Sequence, residues 1–465
     1  MTRAARSLVF LALAACIATP RVDAQPRRPN ILLIVSDDIG YADFGVHGSR
    51  EIPTPNIDAL AREGIRFTDA YVSGPYCSPT RAGLMTGRYQ QRFGHEFNIE
   101  PGQERLGLPL TQRTLADRLK AAGYTTAALG KWHLGMAPQF HPMRRGFDEF
   151  FGFLAGGHSY FDVGTGATAV LDGTTPATPF GYLTDALAAR AAAYIGRHAA
   201  EPFFLYVAFN AAHLPPHAPE KYLSRFANIQ DQQRRTYAAM ISAMDDGVGT
   251  ILRAVRDHKL DRDTLVIFFN DNGGPTMAST AVNGSSNAPL RGSKRTTWEG
   301  GIRVPFIVRW PGRLPAGRVD HRPIIQLDVA PTALAAARVE TEKPSAFDGV
   351  NLLPFVTGSA QGSPHDALFW RLGGMMAIRM GDWKLVKSRE GPFVDVDPGA
   401  LTDLTGAELF NLANDVGETK NLASSQPERV RDLSSRWRKW NAELAAPAWD
   451  PPGRGRQSGR GVAAR

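Results

Sequence analysis

Cysteine is nearly absent from this chain: 465 residues carry two. Cys16 lies in an N-terminal apolar run, which leaves Cys77 alone in the body of the protein. An exported protein with one cysteine has no intramolecular disulfide. Long apolar runs are also missing. The one from Leu8 to Ala18 is too short to span a bilayer, and no other stretch is apolar enough. There are no internal repeats and no nucleic-acid-binding motif, so no nucleic-acid partner is expected. The formal net charge of +8 is diffuse. Arg3, Arg6, Arg21, Arg27 and Arg28 lie at the start, and Arg454, Arg456, Arg460 and Arg465 lie in a Gly-rich tail, so charge alone does not name a partner. Residues 451–465 read as a disordered basic tail.

What is present begins with a leader. Arg3 and Arg6 precede the apolar run, and Pro20 and Val22-Asp23-Ala24 follow it, the pattern of a secretory signal peptide over residues 1–24. Leu13-Ala14-Ala15-Cys16 also reads as a lipobox, which would anchor the protein through Cys16. Cleavage after Ala24 is the expected course, because the apolar run continues past Cys16. The protein is then periplasmic or secreted.

The body alternates strands and helices. Ile31–Val35, Thr125–Leu129, Phe203–Phe209 and Thr264–Phe269 are short apolar runs expected to be strands covered on both faces. Helices are expected from Thr54-Pro55 to Glu63, from Thr114 to Gly123, over Thr184–His198 and over Gln232–Asp257. This spacing predicts an α/β fold with a doubly wound, mostly parallel sheet over residues 29–364. From about His365 the character changes. Ala377–Val386 reads as a hairpin turning at Gly381-Asp382, and Pro427–Ala445 as a helix, giving a smaller C-terminal α+β subdomain over residues 365–446.

The polar clusters follow the expected strands, where open α/β sheets hold their ligands. Asp37-Asp38 and Asp271-Asn272 each end an apolar run. Three carboxylates and an amide form a hard, all-oxygen set suited to Ca²⁺ or Mg²⁺, not to Zn²⁺. Lys131 and His133 lie in Gly130-Lys131-Trp132-His133-Leu134-Gly135, again after a strand. His213 and His217 lie in Ala212-His213-Leu214-Pro215-Pro216-His217, and Lys294 in Arg291-Gly292-Ser293-Lys294-Arg295. Gly94-His95-Glu96-Phe97-Asn98 suits a polar ligand such as a sugar, through His95 and Glu96. His158 and Ser159 follow Gly152.

Cys77 opens Cys77-Ser78-Pro79-Thr80-Arg81-Ala82-Gly83-Leu84-Met85-Thr86-Gly87-Arg88-Tyr89. Ser78 and Pro79 read as the N-cap and first residue of a helix that Gly87 ends. A helix N-terminus and nearby cations are expected to lower the Cys77 thiol pKa.

This run closely resembles the signature of type I sulfatases, and the resemblance extends from about Pro29 to Ala445. It implies an alkaline-phosphatase-like fold and a sulfuric ester hydrolase. It implies that Cys77 is converted by a formylglycine-generating maturation enzyme to formylglycine, whose hydrate is the nucleophile. It further implies that Asp37, Asp38, Asp271 and Asn272 hold the metal, that Arg81 holds position 77, and that Lys131, His133, His213 and Lys294 contact formylglycine or sulfate. On this reading the metal, Lys131 and Lys294 stabilise the sulfate oxygens, His213 or Lys294 protonates the departing alcohol, and His133 deprotonates the covalent sulfate adduct to restore the aldehyde. His95, Glu96, His158, Ser159 and His217 are candidates for substrate contact. A sulfated carbohydrate is the expected substrate, with another sulfate ester as the runner-up. A phosphoester or phosphonate monoester hydrolase on the same fold, or a noncatalytic sulfated-glycan binder, are the alternatives. The sequence does not settle oligomeric state.

Overall fold

A computed structural model describes residues 27–280, 282–340, 347–391 and 403–450. The signal peptide, Cys16 and the basic tail lie outside the described residues. Five strands form a parallel core: β1 (Asn30–Ser36), β2 (Thr125–Lys131), β3 (Glu149–Phe153), β4 (Phe203–Ala208) and β5 (Thr264–Asn270). Their spatial order is β5-β1-β4-β2-β3. Antiparallel strands extend both sides, Phe306–Arg309 against β5 and Leu171–Asp172 against β3. The sheet is therefore mostly parallel and has ten strands.

Apolar residues run without a break along β1 because both faces are covered. Leu32 and Ile34 pack with helices α1 (Pro55–Arg62), α4 (Leu183–Arg197) and α5 (Gln232–Asp257). Ile31, Leu33 and Val35 pack with α2 (Cys77–Thr86), α3 (Leu115–Ala121) and Val329–Ala336. Thr114 caps α3 in a reciprocal box with Asp117. Two ends differ from expectation in a way that matters. β2 runs on through Gly130 and Lys131, so Lys131 is anchored on the sheet rather than in a loop. The last helix stops at Asn441, short of Ala445.

Beyond this sheet, β6 (Leu368–Leu372), β7 (Met375–Met380), β8 (Trp383–Lys387) and β9 (Glu408–Asn411) form an antiparallel sheet covered by α6 (Pro427–Asn441). Gly381, at φ 57°, makes the β7–β8 turn. No helix among the described residues is long and apolar enough to cross a membrane.

Helix α1 is capped from outside. Asp245 of α5 accepts the Ile57 N–H at 2.8 Å and the Asn56 N–H at 3.1 Å. Burial pushes its carboxyl up to about 6, against the pull of those N–H groups. The folded state thus binds this proton more tightly than the unfolded one. Its stabilisation is complete below the ordinary carboxylate range and is lost as pH rises through about 6. Replacing Asp245 by Asn removes the titration. Between pH 4 and 7 the thermal midpoint of Asp245→Asn should fall less than that of the natural protein, a differential of up to about 3 kcal/mol. Parallel midpoint-against-pH curves would rule this out.

Candidate active site

β1 and β5 pair in parallel with Ser36 opposite Asn270, so the next residues on each strand end side by side. Asp37 and Asp38 therefore meet Asp271 and Asn272. The Asp271 N–H donates to the Ser36 carbonyl at 3.0 Å, and the Asp37 N–H to the Ala211 carbonyl after β4 at 2.9 Å. Asn270 ties the turn together by donating to the Ile39 carbonyl at 2.8 Å. Asp38 adopts φ 56°, a left-handed conformation uncommon for a non-glycine residue and frequent at functional sites. Ligand-capable atoms of Asp37, Asp38, Asp271 and Cys77 all lie within 4.8 Å of one another. Asp271 Oδ1 and Asn272 Oδ1 are buried without a hydrogen-bond donor. Buried oxygens without donors beside a cluster of carboxylates fit a hard cation.

The helix α2 begins two residues earlier than expected. Tyr76 occupies the cap position with extended backbone, and Cys77 is the first helical residue. Ser78 does not cap the helix. Its hydroxyl donates to the His133 carbonyl at 2.6 Å and meets His95 Nε2 at 2.7 Å. Asn98 supplies the cap from outside, its Oδ1 accepting the Ser78 N–H at 3.0 Å. Cys77 Sγ lies 3.7 Å from Asp37 Oδ1. The expected lowering of the thiol pKa does not hold. Burial pushes it up to about 12, reinforced by Asp271 and Asp37 and opposed by Lys131 and Lys294.

Three cations face the three carboxylates. Lys131 Nζ donates to Asp37 Oδ2 at 2.6 Å, and Lys294 Nζ reaches the Asp38 carboxylate at 2.7 Å. Arg81 donates to Asp271 Oδ2 through Nη2 at 2.8 Å and Nε at 3.1 Å, and through Nη1 to the Lys131 carbonyl at 3.0 Å and the Tyr206 hydroxyl at 3.1 Å. Formal charge in the cluster is zero, so a divalent cation would make the site net positive. The acids respond unequally. Burial raises Asp38, but Lys294, His213 and Lys131 outweigh it and hold its carboxyl well below the usual range. Burial and Asp37 hold Asp271 above it, despite Arg81 and Lys131.

Two imidazoles complete the set. His213 Nε2 is 3.7 Å from Asp38 Oδ2, and its Nδ1 lies 2.7 Å from the Leu214 carbonyl, which fixes the Nδ1–H tautomer. His133, at φ 55°, places Nε2 at 3.2 Å from the Ile99 carbonyl and leaves Nδ1 without a donor. Both rings rest on bare backbone. A Cβ at Gly156 would sit 2.6 Å from the His133 ring, and one at Gly157 3.0 Å from the His213 ring. A cavity of about 330 Å³ opens over this floor, lined by Asp38, His133, His213 and Lys294 together with Asn98 and Glu100.

The structure thus gathers Asp37, Asp38, Cys77, Arg81, Lys131, His133, His213, Asp271, Asn272 and Lys294. The five expected substrate contacts do not line the cavity. His95 turns inward onto Ser78 and the Trp449 ring, 4.7 Å away. Glu96 is buried in an ion pair with Arg371 at 2.7 Å, tying the segment to the C-terminal sheet. His158 bonds backbone oxygens of its own loop, and Ser159 bonds Asp162. His217 packs beside the Tyr160 and Phe161 rings. Sequence reasoning missed Gly156-Gly157 and Glu100, and it named Asn98 only as part of the Gly94–Asn98 segment expected to suit a sugar. The glycine doublet and the Pro101-Gly102 turn signal after Glu100 were the available clues.

The Sulfatase family matches residues 29–339, and a family described as N-sulphoglucosamine sulphohydrolase, C-terminal, matches residues 292–439. N-acetylgalactosamine-6-sulfatase of Sus scrofa is 36% identical over 460 residues, covering 89% of this chain and 85% of that protein. Arylsulfatase A of Bos taurus is 35% identical over 461 residues, covering 90% and 87%. The solved structure of Ps i-CgsB in complex with k-i-k-neocarrahexaose is 36% identical with TM-score 0.83, covering 91% of this chain and 95% of that one.

Arg81 neutralises Asp271 and anchors Lys131 from a fully buried position, so its loss strands a buried carboxylate. Arg81→Ala should destabilise the fold by about 3–5 kcal/mol in chemical denaturation. Arg81→Lys, which cannot span the fork of acceptors, should recover only part of this. An alanine variant as stable as the natural protein would refute the assignment.

Proposed function

Because this chain belongs to the sulfatase family and is a sulfuric ester hydrolase, we propose that it removes sulfate from a sulfated carbohydrate with formylglycine made from Cys77 and a divalent cation, Ca²⁺ before Mg²⁺. The observation that carries the reading is the convergence of Lys131, Lys294 and His213 on the Asp37–Asp38 pair beside Cys77. The carbohydrate assignment is supported by what similar proteins are named for, N-acetylgalactosamine 6-sulfate in one case and a bound neocarrahexaose in another. Action outside the cytoplasm belongs to the same reading and rests on the leader at residues 1–24.

Asp37, Asp38, Asp271 and Asn272 would hold the cation, which supplies positive charge to the sulfate oxygens. Formylglycine, installed by a maturation enzyme, supplies a hydrated aldehyde as an oxygen nucleophile where the gene encodes a thiol. The chain's own groups do the rest. Lys131 and Lys294 balance the anionic oxygens of the ester as charge develops. Arg81 fixes the floor beneath position 77. Of the two candidates for protonating the departing alcohol, Lys294 is the charged one. Burial, with Lys131 and Lys294 outweighing Asp38, keeps the His213 imidazole neutral, with a pKa of about 3. Neutral His213 orients the ester instead. His133 is the base: Nε2–H is spent on the Ile99 carbonyl, so Nδ1 is the atom that accepts a proton.

Two measurements test this reading. Asp38→Ala should lose Ca²⁺ binding by at least about tenfold in calorimetric titration, measured on protein that circular dichroism shows to be folded. Undiminished Ca²⁺ affinity would remove Asp38 from the ligand set. Protein from a host with maturation machinery should carry a carbonyl at position 77, seen by intact mass and trapped by hydrazide. Cys77→Ala should lack both the carbonyl and all hydrolysis. Full sulfatase activity in protein whose Cys77 is entirely unmodified thiol would sink the mechanism.

A further inference from the structure

The segment after α2 was expected to meet a sugar through His95 and Glu96, and both face inward. The same segment reaches the cavity two residues later, at Asn98, and again at Glu100. Its backbone is firmly set there. The Ile99 carbonyl receives the His133 imidazole at 3.2 Å. Glu100-Pro101-Gly102-Gln103 is a hydrogen-bonded turn, the Gln103 N–H donating to the Glu100 carbonyl at 3.0 Å. Pro101 occupies the second position and Gly102 the third at φ 91°, as a type II turn requires. The Gln103 side chain closes the loop by accepting the Glu100 N–H at 2.9 Å. Glu100 is thus held at a fixed place relative to His133.

Its charge is the anomaly. The other ionisable residues around the cavity are Lys294, Arg295, His133, His213, Tyr76 and Asp38, and Asp38 is ion-paired with Lys294. Among the described residues the Glu100 carboxylate has no hydrogen-bond or ion-pair partner. An uncompensated carboxylate opposes any anion entering the cavity. It accepts hydrogen bonds and donates none. Asn98, on the same wall, spends its Oδ1 on the Ser78 N–H, which leaves its amide N–H groups as donors. An acceptor beside a donor matches adjacent hydroxyls of a sugar ring. It does not match a bare aryl group or a second sulfate.

We propose that Glu100, with Asn98 beside it, recognises the sugar that carries the scissile sulfate. Glu100 accepts a hydrogen bond from a ring hydroxyl and excludes sugars bearing a second anionic group at that position. This rests on the carbohydrate reading above and names the residues that impose it. The retained cost is weaker binding of the sulfate itself, which a compensating hydroxyl contact offsets only in the right saccharide.

The test compares Glu100→Ala and Glu100→Gln with the natural protein, all carrying the aldehyde at position 77. Substrates are 4-nitrophenyl sulfate, N-acetylgalactosamine 6-sulfate and an oligosaccharide of the neocarrahexaose type. On the better saccharide Glu100→Ala should lose about tenfold or more in kcat/KM, because a charged hydrogen bond is gone. On 4-nitrophenyl sulfate it should gain about two- to fivefold, because a repulsive charge is gone. Glu100→Gln, with a carbonyl acceptor and no charge, should recover part of the saccharide loss and keep the aryl gain. Equal losses on both substrate types, or an unchanged saccharide rate, would overturn the proposal and leave the carbohydrate reading standing. Natural protein that hydrolyses the aryl ester and neither saccharide would overturn both.

Discussion

Three carboxylates brought together in a buried cluster are mutually repulsive, and the rest of the site answers that constraint. Parallel pairing of β1 with β5 places Asp37, Asp38 and Asp271 side by side. Alone, such a group would take up protons. Lys131, Lys294 and Arg81 restore neutrality, each from a different element. The balance is uneven, with Asp38 held low by Lys294 against its burial and Asp271 held high by burial and Asp37. The two oxygens without donors, Asp271 Oδ1 and Asn272 Oδ1, belong to the strand end where the balance is poorest. A cation seated there would relieve this repulsion and leave the three fixed cations available to an incoming anion.

The C-terminal sheet contributes no residue to the cavity lining, yet it bears on the site through a second buried ion cluster. Lys384 of β8 joins Glu299 at 2.8 Å and Glu418 at 2.9 Å, all three side chains fully buried. Glu299 also accepts from the Tyr71 hydroxyl at 2.7 Å and pairs with Arg303 at 3.2 Å. It lies five residues after Lys294, at the end of the loop that carries that lysine. The loop's two ends approach so closely that a Cβ at Gly273 would lie 1.7 Å from the Gly300 carbonyl oxygen. Only glycine permits that approach, and with it the delivery of Lys294 to Asp38. The smaller subdomain therefore bears on the cavity by holding down the far end of the Lys294 loop. A buried pair of this kind loses most when one partner is removed.

How much of this was legible depended on what each residue answers to. The strands and long helices were plain because their apolar patterns reflect two covered faces, and α5 appears with the expected bounds. The strand-end acids and the Cys77 run were plain because ligand sites cluster at those ends. The substrate-facing residues were not. His95 and Glu96 have suitable chemistry, but whether a loop side chain faces in or out is decided by partners distant in sequence. Arg371 claims Glu96 across 275 residues, and Ser78 claims His95. The N-cap was misplaced for the same reason, since Tyr76 takes that position and the N–H of Ser78 itself is satisfied by Asn98, twenty residues on. Gly156 and Gly157 showed only as a doublet, because their value is the absence of a side chain beside two imidazoles.

The remaining oddity is the sulfur itself. Every other donor around the cluster is a hard oxygen, and hard divalent cations take oxygen in preference to thiolate. The Cys77 thiol is also buried and pushed toward its neutral form, the reverse of what a nucleophilic cysteine needs. A thiol in that position is a poor ligand and a poor nucleophile at once. An oxygen function at the same carbon removes both mismatches, completing an all-oxygen shell and presenting an oxygen to the ester. The surroundings of Cys77 therefore suit an oxygen-bearing residue at that position better than the encoded thiol.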